Sequence, residues 1–262
     1  DNATAEMIKY TSNSLLATLI SFSNEIANVC ATVPGVDVEE VMRGVHLDKR
    51  LSPIAGPGGV REGERIRPGI LSYLRAGCGF GGSCLPKDVS SLAAFGDSQG
   101  SPARLLRSVL AINADQPSRV IELARRHRPD LEDAPVAVLG LAFKPGTSDI
   151  RETPALPIVR RLAAEGARLT LYDPEALDGF LEALGEDAGE MRAAEDLEDA
   201  VRNAAIVVVL TSWQEFQPLE GLLADRAEPT AVIDGRRMFA KEAFERYEGI
   251  GLGADLDGGE AE

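Results

Sequence analysis

Long apolar runs are missing from this 262-residue sequence. The longest, AAIVVVL at 204 to 210, has the length of a strand and not of a membrane span. Cysteine is scarce, at three residues, and no charged-then-apolar start is present, which argues against a disulfide-stapled or secreted fold and makes a cytoplasmic location the default. Basic charge is also in deficit: 27 Lys and Arg against 42 Asp and Glu leave a formal charge of −15. Such a chain is a poor partner for nucleic acid or an anionic membrane, and a phosphate-bearing ligand must be held by basic residues gathered locally.

What is present suffices for a sizeable core, most plausibly in two domains. The chain enters a helical pattern almost at once, without an initiator Met, and reads as a fragment or processed chain. Leu15, Leu19, Phe22, Ile26 and Val29 recur at alternating spacings of four and three, one apolar stripe along a long helix expected to pack on a partner helix. Lys9 and Asn13 share a face of that helix and can reach one small target; a solvated polar face is the plain alternative. A short helix at DVEEVMRGV follows, then an extended Gly, Pro and charge-rich loop, then the glycine segment GCGFGGSCLPKD at 77 to 88. A second long helix is expected from about Pro102, with Pro117 kinking or breaking it.

From Pro135 the texture becomes alternating strands and helices: PVAVLGLAF, ARLTLYDP, AAIVVVLTS and TAVIDGRR, with a crossover helix capped by Thr153 and ended at Gly166. The fold class is therefore α/β: a long-helix domain (1–130) followed by a Rossmann-like, doubly wound parallel-sheet domain (131–250) and an acidic, Gly-rich tail (251–262) expected to be loosely held. In such sheets the ligand crevice lies beyond the carboxyl ends of the strands, here Phe143 and Lys144, Asp173, residues 211–213 and 234–237. The first strand lacks a following G-x-G-x-x-G, so a nucleotide-binding relative without the dinucleotide fingerprint is expected. Asp173 is either a ribose-binding acid or a turn aspartate before Pro174.

Cys84 is the chemical question. A lone cysteine is usually a small apolar residue, but Gly79, Gly81 and Gly82 permit positive φ and close approach, and Lys87 three residues on would lower the thiol pKa if it folds back. Pairing with Cys78, in a disulfide or metal site, does not fit C-x-x-C spacing, and His46 and His127 lie in unrelated stretches.

GFGGSCLPKD resembles the active-site segment of the UDP-glucose 6-dehydrogenase family of nucleotide-sugar dehydrogenases. AEMIKYTSNSLLATLISFSNEIANVC is similar to the family's central dimerisation helix, LDKR to a substrate-contacting loop, and VAVLGLAFKPGTSDIRETPA with VIDGRR to its nucleotide-sugar domain. The resemblance spans nearly the whole chain and implies oxidation of a sugar CH₂OH to a carboxylate by two NAD⁺. Cys84 would be the nucleophile, through a thiohemiacetal and a thioester, with Lys9 and Asn13 stabilising the oxyanion and Asp88 positioning or activating water. The same resemblance assigns Tyr73, Leu74, Gly79, Phe80, Gly81, Leu85, Phe143, Lys144 and Arg236 to the nucleotide sugar. It turns Lys87 and Arg151 toward the cofactor pyrophosphate and sends Arg50 into the neighbouring subunit of a homodimer.

Two departures from the family stand out. Its N-terminal NAD-binding domain is not in this sequence, so the chain alone is expected not to turn over, and the loop at 51–71 is longer than the family pattern. That loop lies near Tyr73, so UDP-glucose is the first expectation while UDP-N-acetylhexosamines, TDP-glucose and GDP-mannose stay open. The rival classes are a non-catalytic nucleotide-binding dimerisation module and a 3-hydroxyacid-type NAD-dependent reductase, the latter predicting a dispensable Cys84.

Overall fold

The computed structural model describes residues 1–56 and 63–254. Four helices come first: α1 (Asn2–Cys30), α2 (Val38–His46), α3 (Leu85–Ser98) and α4 (Arg104–His127). The Asp1 carboxylate caps α1 by accepting from the Thr4 amide at 2.7 Å, and Asp37 caps α2 through the Glu39 amide at 2.9 Å. Helix α3, which opens immediately after Cys84, has no counterpart in the sequence reading. Its signal was weak because SSLAAFGDS carries few large apolar residues.

Helix α1 packs within the chain on α3 and α4 through small residues, among them Ser14, Ala17, Ser21 and Ala27, which let the helix axes approach closely. The apolar stripe is split: Leu19 and Ile26 pack against the chain's own core, while Leu15, Phe22 and Val29 are about half exposed. Among the described residues, no helix covers Leu15, Phe22 and Val29.

Helix α4 starts two residues later than expected and runs through Pro117 unbroken. Proline removes one amide donor from the ladder. The turn survives because Val120, Ile121 and Ala124 bury the residues after it, while the Gln116 side chain donates to the Gly77 carbonyl at 3.1 Å.

The second half alternates: β1 (Pro135–Leu139), α5 (Ala155–Ala164), β2 (Arg168–Tyr172), α6 (Leu177–Leu184), β3 (Arg192–Ala193), α7 (Leu197–Val201), β4 (Ile206–Val209), α8 (Leu219–Leu223), β5 (Ala231–Asp234) and β6 (Arg246–Gly249). All pairs are parallel, in the order β3-β2-β1-β4-β5-β6, so the direction of strand succession reverses between β1 and β4. This is the doubly wound sheet expected from the sequence, with β3 and β6, too short or too polar to read, added at its edges. Continuous apolar runs such as IVVV suit strands covered on both faces, and all four of those residues are buried. Thr153 lies one position before the assigned cap of α5, and its hydroxyl accepts from the Ala155 amide at 3.3 Å.

One apolar core joins the two halves. Ala27, Val38 and Met42 from α1 and α2, with Val120 and Ile121 of α4, are continuous with the sheet, so the boundary expected at 130 crosses a shared core. A satellite cluster of Ala17, Phe80, Val89 and Val109 sits under the glycine segment. The buried Arg237 guanidinium adds an ionic tie, reaching Asp37 at 2.7 Å.

Four residues of the expected tail are described. Residues 251–254 are pinned: the Val38 amide donates to the Gly251 carbonyl, Gly253 to Val36, and Gly35 to Ala254. Residues 255–262 lie outside the described part. The loop at 51–71 folds back on itself through an antiparallel Ile54 to Arg65 bridge and a short 3₁₀ turn at Gly69–Tyr73, with 57–62 outside the described residues.

Candidate active site

The glycine segment lies across the reversal point of the sheet. The Cys78 amide donates to the Gly235 carbonyl at 2.8 Å, and Arg236 donates from Nε to the Leu210 carbonyl (2.7 Å) and from Nη1 to the Gly79 carbonyl (2.9 Å). From the helical side, Gly77 is held by Asn24 (2.8 Å) and Gln116, while Asn113 both accepts from the Phe80 amide (2.7 Å) and donates to its carbonyl (3.0 Å). These three amide side chains fix a segment that cannot form regular structure, and the sequence reading missed them. Their signal was the spacing of three between Asn113 and Gln116 on one face of a helix.

Glycine is required here by contact as much as by conformation. A Cβ on Gly81 would lie 2.2 Å from the Glu152 carbonyl oxygen, and Gly82, at φ +81°, has the Phe143 ring 2.9 Å from where its Cβ would be. Gly79, also at positive φ, packs on Asn113.

The segment ends at Cys84, which is exposed and occupies the N-cap of α3, where unpaired amide groups favour negative charge. It opens into a cleft of about 520 Å³ lined by Asn13, Tyr73, Gly79, Phe80, Gly81, Cys84, Leu85, Phe143, Lys144 and Arg236. Leu16, Ile20, Ser72 and Arg75, which the sequence reading did not select, line it too, as does Ser212 from the expected crevice stretch 211–213. Leu16 and Ile20 follow Asn13 at helical spacing and were legible as the same face.

The remaining predicted residues lie elsewhere. Asp88 is completely buried off the cleft: Asn13 donates to it at 2.6 Å, Lys9 approaches at 3.6 Å, and Lys87 forms an ion pair with it. Burial pushes its carboxyl up, but the bonds from Lys87 and Asn13 and the two lysine charges outweigh this and hold it below the usual carboxylate range. It remains ionised and orients Asn13. Lys9 and Lys87 both lie over the Tyr10 ring.

Arg151 is bound by both arms to Asp149, which its guanidinium holds down to about 2, and its carbonyl accepts from the Gly82 amide at 2.8 Å, two residues before Cys84. Leu74 is core, its carbonyl accepting from His46 Nε2 at 3.1 Å. Arg50 is paired with Asp48 and does not reach this chain's cleft. Asp173 is a turn and scaffold residue, accepting from the amides of Leu141, Ala142, Glu175 and Ala176 and from Trp213 Nε1, so no oxygen is left for a ribose. All three cysteines are free, and the described residues contain no metal-ligating cluster.

A six-stranded parallel sheet with its crevice at the strand-order reversal, roofed by a thiol-bearing glycine segment, defines a doubly wound α/β protein with an exposed thiol at the crevice. Residues 3–115 match the central domain of the UDP-glucose/GDP-mannose dehydrogenase family and residues 137–241 its UDP binding domain. The chain belongs to this family.

It is 38% identical over 246 residues to the UDP-glucose 6-dehydrogenase AglM of Haloferax volcanii, covering 94% of this chain and 51% of the relative. With TuaD of Bacillus subtilis, also a UDP-glucose 6-dehydrogenase, identity is 36%, covering 92% and 48%. Among solved structures, a UDP-glucose dehydrogenase from Pyrobaculum islandicum superposes with a TM-score of 0.78 at 34% identity, covering 95% of this chain and 51% of that one. The UDP-D-ManNAc dehydrogenase of Pyrococcus horikoshii gives 0.72 at 26%, covering 95% and 52%. The chain thus spans about half the length of the relatives it matches. No helix among the described residues is long and apolar enough to cross a membrane.

Proposed function

We propose that this chain is the thiol-bearing, nucleotide-sugar-binding half of an NAD-dependent UDP-glucose 6-dehydrogenase. One observation carries the reading: an exposed Cys84 at a helix N-terminus faces the same cleft as Asn13, Lys144 and Arg236, and that cleft lies at the reversal point of a parallel sheet. Lys144 and Arg236 supply positive charge for a diphosphate in a chain that is otherwise strongly acidic, and Phe143 with Tyr73 supplies apolar walls for base and sugar.

NAD⁺, when bound, supplies the hydride acceptor. Lys87 and Arg151 fit an anionic group near Cys84, since both cations are more than half exposed, Lys87 lies in the first turn of the helix that Cys84 caps, and the Arg151 carbonyl accepts from the Gly82 amide. The first oxidation takes the sugar alcohol to the aldehyde. The Cys84 thiolate then adds to the carbonyl carbon, forming a C–S bond and an alkoxide that Asn13 and Lys9 stabilise. Loss of the second hydride from that carbon gives a thioester. Water adds, the C–S bond breaks and the thiol departs with the carboxylate released. The sum is one CH₂OH, two NAD⁺ and one water to one carboxylate, two NADH and three protons. Asp88 acts through Asn13 and the lysines, as a positioning residue.

The exposed stripe on α1 supports a homodimer. Ile8, Leu15, Phe22 and Val29 repeat every seven residues and stay exposed, the pattern of a helix seam awaiting a second copy.

The test is Cys84→Ala in the full-length protein. Acid formation should fall at least a thousandfold while UDP affinity of the variant stays within twofold; acid formation near the wild-type rate overturns the thioester route. Failure of UDP to bind the wild-type protein overturns the nucleotide-sugar reading itself.

A further inference from the structure

A second cleft, of about 330 Å³, lies between α2 and the folded-back loop that follows it. Its walls carry Arg43 and His46 from α2, Arg65 and Arg67 from the loop, and Arg75 from the segment leading to Gly77, against one carboxylate, Glu39. In a chain with a formal charge of −15, four arginines around one hollow are a local reversal of the field.

The guanidiniums are not equivalent. Arg65 is committed, donating to the carbonyls of Leu47 (2.6 Å) and Ser52 (3.0 Å), and Arg75 reaches Glu39 at 3.5 Å. Arg43 and Arg67 have no hydrogen-bond or ion-pair partner among the described residues. Ser52 lines the same cleft between the stretches that carry Arg43 and Arg65, which places a hydroxyl donor beside the guanidiniums.

From this arrangement we infer that the second cleft is a binding site for a phosphate-bearing small molecule, separate from the cleft that holds Cys84. Arginine forks match tetrahedral oxyanions bidentately, and Ser52 supplies a neutral donor to the same group. Arg65, tied to backbone on both sides, fixes the loop so that Arg67 faces α2. The two clefts share only Ser72 and Arg75 as walls, so an occupant of one adjoins an occupant of the other without displacing it.

The experiment is calorimetric titration of the chain with inorganic phosphate and, separately, glycerol 3-phosphate, in chloride buffer at constant ionic strength. Both should bind, a tighter ester indicating an esterified ligand and equal affinities free phosphate. Arg43→Gln with Arg67→Gln, both exposed positions with little to lose in folding, should weaken binding at least tenfold. Ser52→Ala should weaken it several-fold, and Lys144→Ala, in the other cleft, should leave it unchanged. No binding of either anion, binding indifferent to Arg43 and Arg67, or binding abolished by Lys144→Ala would each overturn the inference. Because no step requires UDP or NAD⁺, a failure here is distinct from a failure of the dehydrogenase reading.

Discussion

Removing the negative charge of Asp37 should cost this protein a large part of its stability. Asp37 and Arg237 are 7% and 4% exposed and meet at 2.7 Å, joining the turn before α2 to the loop between β5 and β6. Asp37→Asn keeps the cap, since its side-chain oxygen can still accept from the Glu39 amide, and changes mainly the charge. The Arg237 guanidinium is then left in the interior with the Ile250 carbonyl, at 3.2 Å, as its remaining hydrogen-bond partner. Its Nε is already without one.

Stranding one member of a buried pair costs about 3–5 kcal/mol. At about 2–4 °C per kcal/mol for a chain of this size, the melting temperature should drop by about 6–20 °C. Asp37→Ala should lose about 1 kcal/mol more, for the cap. The double variant Asp37→Leu with Arg237→Met should recover most of the loss, because an apolar pair avoids the stranded charge. Urea denaturation of the three variants, with Asp48→Asn at the exposed Arg50 pair as control, decides the matter. If Asp37→Asn unfolds within about 1 kcal/mol of wild type, or matches the control, the ionic tie is unimportant and the shared apolar core alone holds the halves together.

Gly81→Ala places a methyl group 2.2 Å from a backbone carbonyl oxygen, so the glycine segment must move; nucleotide affinity and acid formation should both fall at least tenfold, and a variant with normal kinetics would show that the segment is not rigid. Asp88 titrates below its unfolded value, so its contribution to stability is fully present above about pH 4 and is lost as pH falls through the folded value. Asp88→Asn should therefore lower stability at pH 7 and flatten the acid limb of a stability profile; a parallel, merely shifted limb would contradict this. Phe22→Glu on the exposed stripe of α1 should convert a dimer to monomers in sedimentation, with the helix content of the monomer retained. A species that sediments unchanged would remove that face as the interface.

The sequence by itself determined the periodicities and the chemistry. Apolar runs of strand length alternating with amphipathic turns dictate a parallel sheet, because strands covered on both faces need no polar alternation. The stretch from Gly79 to Asp88 made Cys84 a candidate nucleophile because its glycines, thiol, lysine and aspartate are local in the chain. Local patterns are legible when neighbours in sequence are neighbours in space. The tertiary structure alone decided which charges face the cleft. Asp88 looks like a base in sequence, yet three donors from α1 and α3 bury it; Asp173 looks like a ribose ligand, yet five donors from three loops consume it. Pro117 stays in a helix because contacts from distant residues outweigh one missing backbone bond. The second cleft joins residues 39 to 75, and no spacing rule reports that a fold gathers four arginines from three separate stretches around one hollow.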